Sequence, residues 1–124
     1  MATMSERRRA ERKGRAAELI AALFLMAKGY RPLAWRVKTG RGEIDLIMRF
    51  RGDVVFVEVK TRSDIDQALF SVTGLKARRT VDAARIWLAQ NTRLLDFNCR
   101  FDILVLAAYH WPRHIKSAYD EDQW

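Results

Sequence analysis

The sequence predicts an α/β domain, a mixed sheet flanked by helices, in the order helix, three strands, helix, strand. Two apolar runs, EIDLIMRF (43–50) and DVVFVEVKTR (53–62), are separated only by Arg51 and Gly52, the spacing of a tight hairpin. Segments of helical periodicity stand on either side, at about 14–28 and 74–90. A last run, RFDILVLAAY (100–109), is apolar on both faces after Asp102, as in a strand covered on both sides.

The elements follow in order. In the first helix Leu19, Ile20, Leu23, Phe24 and Ala27 recur at helical spacing and are expected to form the buried stripe. Gly29 supplies its stop, because a helix end often needs a positive φ that glycine adopts cheaply. LAWRVK (33–38) alternates as a strand does, and Thr39 to Gly42 is a glycine-containing turn. The hairpin strands come next, then a loop over 63–72, with Thr73 placed to cap the second helix. Val81, Ala84 and Leu88 face that helix inward. Three strands with short turns form an antiparallel meander, and a crossover helix lets the fourth strand join in parallel. Trp111-Pro112 ends that strand, and SAYDEDQW is read as a short terminal helix.

The length of 124 residues fits one domain: residues 1–13 read as a basic flexible arm and 14–124 as the folded unit. A hydrophobic content of 49% permits a real core and excludes global disorder. One cysteine allows no intrachain disulfide, and a reducing cytoplasm is the expected setting. Two histidines and one thiol argue against a tetrahedral zinc site; the carboxylates suit a hard, oxygen-liganded ion. Basic residues before AAELIAALFLMA imitate a signal peptide, but Glu18 interrupts the run and its length is short of a bilayer span. No membrane partner is expected.

Net charge is +8, and the excess is clustered. One group lies in the first fifteen residues, a second is Arg36, Lys38 and Arg41, and a third is Lys76, Arg78 and Arg79. Such patches favour a polyanion. Lys76, Arg78 and Arg79 near a helix N-terminus suit phosphate contacts, where exposed amides also attract anions. A solvated basic face accounts for them equally well.

The chemistry lies in GRGEIDLIMRFRGDVVFVEVKTR (40–62). Glu58 and Lys60 project from one side of a strand that is otherwise apolar on both faces. In a hairpin, Asp45 on the preceding strand reaches the side of Glu58, within range of one divalent ion. Two close carboxylates cost several kcal/mol to bury unless a cation or donor compensates. Mg²⁺ does so with one or two carboxylates, water and substrate phosphate oxygens, while Lys60 stabilises phosphorane charge or orients the attacking water. The plainer reading is an exposed Glu58–Lys60 ion pair, worth about 0–1 kcal/mol. On spacing alone that reading is the commoner one.

GEIDLI (42–47) followed by VFVEVKTR (55–62) resembles the YraN-like family of bacterial proteins. GRAAE (14–18), KGYR (28–31), the helix with Lys76 and RFD (100–102) extend the match. That family looks like a branch of the PD-(D/E)XK nuclease superfamily, close to archaeal Holliday-junction resolvases. The resemblance implies a restriction-endonuclease-like core, with Asp45 and Glu58 as metal ligands and Lys60 as the motif lysine. It also adds Glu18, otherwise a helix-surface residue, to the metal site. Ile44 precedes Asp45 where the wider superfamily carries proline. The implied function is a Mg²⁺ (or Mn²⁺) dependent endonuclease acting on DNA, branched DNA included, as a homodimer. Arg41, Lys76, Arg78 and Arg79 are the expected nucleic-acid contacts. The alternatives are a nucleic-acid-binding module without turnover and an interaction protein using the same basic surface. His110 and His114, flanking Pro112 in an expected loop, receive no catalytic role, and Asp102 is expected to pair with Arg100.

Overall fold

The chain is described by a computed structural model covering residues 4–62, 74–107 and 109–119, with side chains described over 15–61, 77–107 and 109–119. The expected loop at 63–72, the Thr73 cap, the Lys76 side chain and residues 120–124 lie outside the described residues.

The middle of the sheet is β3 (Asp53–Arg62), and its position follows from its composition. Val54, Val55, Phe56 and Val57 are all buried, so consecutive residues fill opposite faces. Val54 and Phe56 join one core cluster, and Val55 and Val57 the other. Only a strand covered on both sides accepts such a run, and burying each side chain stabilises the fold by about 1.5–3 kcal/mol. β2 (Glu43–Phe50) pairs antiparallel on one side, from Phe50 opposite Asp53 to Leu46 opposite Val57. β4 (Asn98–Ala107) pairs in parallel on the other, along the whole of β3. β1 (Arg31–Lys38) and β5 (Arg113–Tyr119) complete a five-stranded sheet in the order β1-β2-β3-β4-β5. The mixed sheet, the meander and the parallel fourth strand are those expected from the sequence.

α1 (Met4–Ala27) covers one face and α2 (Gly74–Ala89) the other. The backbone of α1 begins at Met4, ahead of the Gly14 boundary read from periodicity. Its C-terminus closes as the sequence predicts: Gly29 has φ 97°, Gly29 N–H bonds Met26 O and Tyr30 N–H bonds Leu25 O. Its buried stripe differs from the expected one. Ala17, Ala21, Ala22 and Leu25 face the sheet, while Leu19, Ile20 and Leu23 are 52%, 53% and 57% exposed. From Ala16 onward the helix is apolar around most of its circumference, so periodicity alone could not choose the face. Leu46, Met48, Val55, Val57 and Leu104 already fill the sheet surface, and alanines let the helix lie close against it. On α2, Val81 and Ala84 are buried and Leu88 half-buried, as expected, and Trp87 joins them.

β5 was not foreseen. Residues 117–119 continue it as strand, which overturns the terminal helix for that part of SAYDEDQW. A bulge opposite Phe101–Ile103 hides the alternation, with Ser117 at φ 51°. The bulge turns the Ser117 N–H to Asp102 Oδ1 at 3.0 Å. His114 lies on this strand, not in a loop, with its side chain only 4% exposed.

These residues form a buried polar knot on the α1 side. Arg100 holds Asp102 with two hydrogen bonds, 2.9 and 2.7 Å, as the expected pair, and also reaches Tyr30 Oη at 2.5 Å. The Lys28 ammonium can only donate, so at 2.8 Å it fixes His114 Nδ1 as acceptor. His114 Nε2–H therefore donates to Asp102 Oδ2 at 2.6 Å. Burial works against the Asp102 carboxylate, but the hydrogen bonds from His114, Arg100 and Ser117 N–H outweigh it and hold its pKa below the ordinary value. With the folded-state value below the unfolded one, this stabilisation is complete above about pH 4 and is lost as pH falls towards the folded value. Asp102→Asn is expected to cost about 3–5 kcal/mol at neutral pH, by leaving a buried cation uncompensated, and to flatten that acid-side fall. Chemical denaturation of both proteins at pH 7 and pH 3 checks it; equal stability at pH 7 refutes the role of Asp102.

Candidate active site

Beyond Val57 the β3 strand turns from apolar to charged. Glu58 and Lys60 share the face of Val54 and Phe56, the side covered by α2. Glu58 Oε1 lies 3.1 Å from Lys60 Nζ, and the two side chains are only 9% and 8% exposed. The exposed ion pair, the commoner reading from spacing alone, is therefore excluded. A buried pair persists only where surrounding geometry offsets the desolvation of both charges.

Asp45 reaches this pair because β2 leaves the ladder. Pairing with β3 ends at Leu46–Val57, and one residue further the Asp45 carboxylate takes the place of a backbone acceptor. Val59 N–H donates to Asp45 Oδ2 at 2.8 Å. Side-chain alternation shifts at the same point, since Ile44 and Ile47, three residues apart, both join the α2-side core. Asp45 and Glu58 consequently line one cavity of about 120 Å³, with Glu43, Ile44, Val57 and Thr80. Glu58 Oε2 is buried and accepts no hydrogen bond among the described residues, although Glu58 is held through Lys60.

The approach of β2 to α2 depends on Gly42. A Cβ there would lie 2.7 Å from the Arg79 carbonyl oxygen, a backbone atom that cannot swing aside. Thr39 sets the turn before it: its hydroxyl donates to Gly42 O and accepts from the Arg41 and Gly42 N–H groups. This contact brings the Arg41 turn beside the start of α2, where Arg78 and Arg79 are exposed. Three of the four expected nucleic-acid contacts thus share one neighbourhood.

Glu18 is buried on α1 and occupies the other side of Asp45. Arg36 Nε donates to Glu18 Oε2 at 2.5 Å. Arg36, at φ 47°, stands between the Trp35–Leu46 and Val37–Ile44 pairs and so faces Asp45 across the β1–β2 ladder. Glu18, Arg36 and Asp45 line a second cavity of about 310 Å³ with Arg15, Lys38, Glu43 and Ile44. Asp45 thus belongs to both cavities, with Glu58 on one side and Glu18 on the other. Sequence reasoning missed Arg36 as a partner of Glu18, and missed Thr80 and Tyr119. Burial pushes the Tyr119 phenol above its ordinary pKa; the neighbouring Thr80 hydroxyl works the other way, and the Glu58 and Asp45 charges add to the rise. Nothing in the sequence places Tyr119 on a strand near these acids.

Among the described residues no group of three or more Asp, Glu, His or Cys gathers as a metal site, and Glu18 is engaged by Arg36 instead. The donor set therefore fits Mg²⁺ as a two-carboxylate site, the remaining positions being left to water and substrate oxygens. Asp45 and Glu58 are the residues that would hold it.

The profile of "Uncharacterised protein family UPF0102" matches residues 17–106. The chain belongs to this family. UPF0102 is the YraN-like family to which the paired GEIDLI and VFVEVKTR segments pointed. A UPF0102 protein of Bradyrhizobium diazoefficiens is 46% identical over 115 residues, covering 93% of this chain and 86% of its own. One from Rhodopseudomonas palustris strain BisA53 is 47% identical over 115 residues, covering 93% and 88%. One from Nitrobacter winogradskyi is 43% identical over 107 residues, covering 86% and 91%. The UPF0102 match thus runs from Ala17 in α1 to Leu106 in β4 and includes α1, β2 and β3 at Glu18, Asp45, Glu58 and Lys60.

Lys60 gives the direct test of this geometry. Lys60→Met removes an ammonium from a buried carboxylate, so it is expected to destabilise the fold by more than the roughly 1 kcal/mol limit of an exposed pair. Urea unfolding measures it. A change within a few tenths of a kcal/mol would mean that the pair is solvated.

Proposed function

We propose that this UPF0102 protein is a divalent-metal-dependent nuclease that hydrolyses DNA phosphodiester bonds, branched DNA among its substrates. The observation that carries the reading is the buried Glu58–Lys60 pair, with Asp45 and Glu58 lining one cavity and the exposed Arg41, Arg78 and Arg79 grouped where the Gly42 turn meets α2. A structural ion pair gains nothing from a second carboxylate placed next to it, whereas a metal and a phosphate use all three groups. Bound Mg²⁺ or Mn²⁺ would supply Lewis-acid polarisation of the phosphodiester. Asp45 is oriented for its part by Val59 N–H, which fixes one oxygen and leaves the carboxylate plane defined. Lys60, held by Glu58, presents a positive charge for the negative charge that develops on the phosphoryl oxygens as water adds and the P–O bond to the leaving oxygen breaks. Arg41, Arg78 and Arg79 hold the flanking phosphates without reading sequence. Glu18 acts through Arg36, which it orients towards Asp45. The resolvase-like resemblance adds a homodimer, since a four-way junction presents two strands for paired incision.

A second reading, a nucleic-acid-binding module without turnover, is favoured by one observation: Glu18 is neutralised by Arg36 rather than gathered with the other acids. The two readings separate on linear, flapped and four-way DNA with Mg²⁺ or Mn²⁺. On the nuclease reading wild type cleaves at least one substrate. Asp45→Asn and Glu58→Gln then lose cleavage by about 10²-fold or more, as expected when a group stabilising transition-state charge is removed, while DNA binding in EDTA is kept. Wild-type binding with no cleavage and no metal-dependent rise in melting temperature would give the binding-module reading its place.

A further inference from the structure

The opposite end of the hairpin carries a second cluster of charge. Arg31 on β1 and Arg49 on β2 are direct partners in the antiparallel register, so their side chains leave one face of the sheet together. Arg51 follows in the β2–β3 turn, at φ 55°. With Gly29 and Phe50 these arginines line a cavity of about 390 Å³ that has no acidic residue among its described lining.

Like charges placed opposite each other destabilise a sheet, and proteins ordinarily relieve them with a carboxylate. Here none does. Elsewhere among the described residues Arg36, Arg85, Arg100 and Lys60 all have acidic partners, but no ion pair includes Arg31, Arg49 or Arg51. Asp53, close in sequence, is turned to Arg100 at 3.5 Å.

Two of the guanidiniums are nevertheless seated. Arg49 lies 4.9 Å over the Phe97 ring and Arg51 lies 5.2 Å over Phe50. Phe50 in turn stacks on the buried Tyr30 ring at 4.2 Å and 7°. A guanidinium resting on an aromatic face keeps its N–H edge free and planar for bidentate contact with phosphate oxygens.

We infer that Arg31, Arg49 and Arg51 form a second phosphate-binding site, an anchor for the phosphodiester backbone of nucleic acid distant from the cleavage site. The inference rests on the nucleic-acid reading above for its ligand, but not on turnover. Arg49 lies four residue steps along β2 from Asp45, about 14 Å at strand rise, or about four base-pair rises along the axis of B-form DNA. The edge strand β1 joins the two ends, with Arg31 at one and Arg36 and Lys38 at the other. A backbone following that edge meets positive charge at both ends and reaches Asp45 at one of them.

The test is binding of the full chain to a fluorescent DNA duplex in EDTA, across a salt series, for wild type and for the triple variant R31Q/R49Q/R51Q. Each lost phosphate contact should flatten the log–log salt slope by about 0.9, so the triple variant is expected to lose about 2–3 of slope. R31K/R49K/R51K should recover the slope, because charge is kept, and not the full affinity, because the planar fork is lost. Should the triple variant fail to fold, Arg51→Gln in the exposed turn carries the same test, with an expected loss of about 0.9. Loss of cleavage with arginine-dependent binding intact concerns the nuclease reading and leaves this site standing. Unchanged slope and affinity in a folded triple variant overturn the site, as does a wild type that binds no DNA. Loss of binding to phosphatidylglycerol vesicles with DNA binding intact would reassign the cluster to an anionic membrane and overturn it too.

Discussion

A strand buried on both faces must end somewhere, and β3 ends in Glu58 and Lys60 before it reaches solvent. Placing a carboxylate and an ammonium there costs several kcal/mol in desolvation for each ion. The surroundings offset that cost locally. The two groups face each other at 3.1 Å, α2 covers them, and β2 leaves the ladder one residue before their level. Asp45 then substitutes for the missing backbone acceptor. The departure of β2 is possible because Gly42 has no side chain to meet the Arg79 carbonyl. A hairpin register, a turn and a helix position are thus all fitted to one charged pair.

A second buried carboxylate shows what a closed arrangement looks like. Asp102 is fully buried and accepts four hydrogen bonds, two from Arg100 and one each from His114 and Ser117. Through these partners, and through Tyr30 and Lys28 behind them, it ties together β4, β5 and the α1–β1 junction. Asp45 and Glu58 instead line a cavity together with Glu43 and Thr80. The same residue chemistry is closed on itself in one place and lines a cavity in the other. Between them lies the contrast on which a functional reading of Asp45 and Glu58 stands.

Much of this was legible in the residues. The run VVFVEVK announced a doubly covered strand, and the two-residue gap Arg51-Gly52 fixed its hairpin partner, because both signals are local. Gly29 announced the helix end for the same reason. The sequence misled where two faces competed or where a bulge broke the period. From Ala16 onward α1 is apolar on nearly every side apart from Glu18, and only the crowded surface of Leu46, Met48 and Leu104 decides that its alanines face inward. β5 escaped notice because the bulge at Ser117 shifts its alternation, so His114 looked like a loop residue rather than a member of the Asp102 knot. Of the site, Asp45, Glu58 and Lys60 could be named from strand alternation and the family motif. Arg36 opposite Asp45, the Glu18–Arg36 pair and Tyr119 near the acids are products of register and crossover, which no short stretch encodes.

The central claim is that Asp45 and Glu58 are kept together, at electrostatic cost, to hold a divalent cation. Its most direct test is to locate Mn²⁺ by anomalous scattering in crystals of the wild-type protein. The account predicts a single strong peak in the cavity between the Asp45 and Glu58 carboxylates, displaced by Mg²⁺ and absent from Asp45→Asn. A cavity that stays empty at saturating Mn²⁺, or an ion bound only elsewhere on the protein, would contradict it.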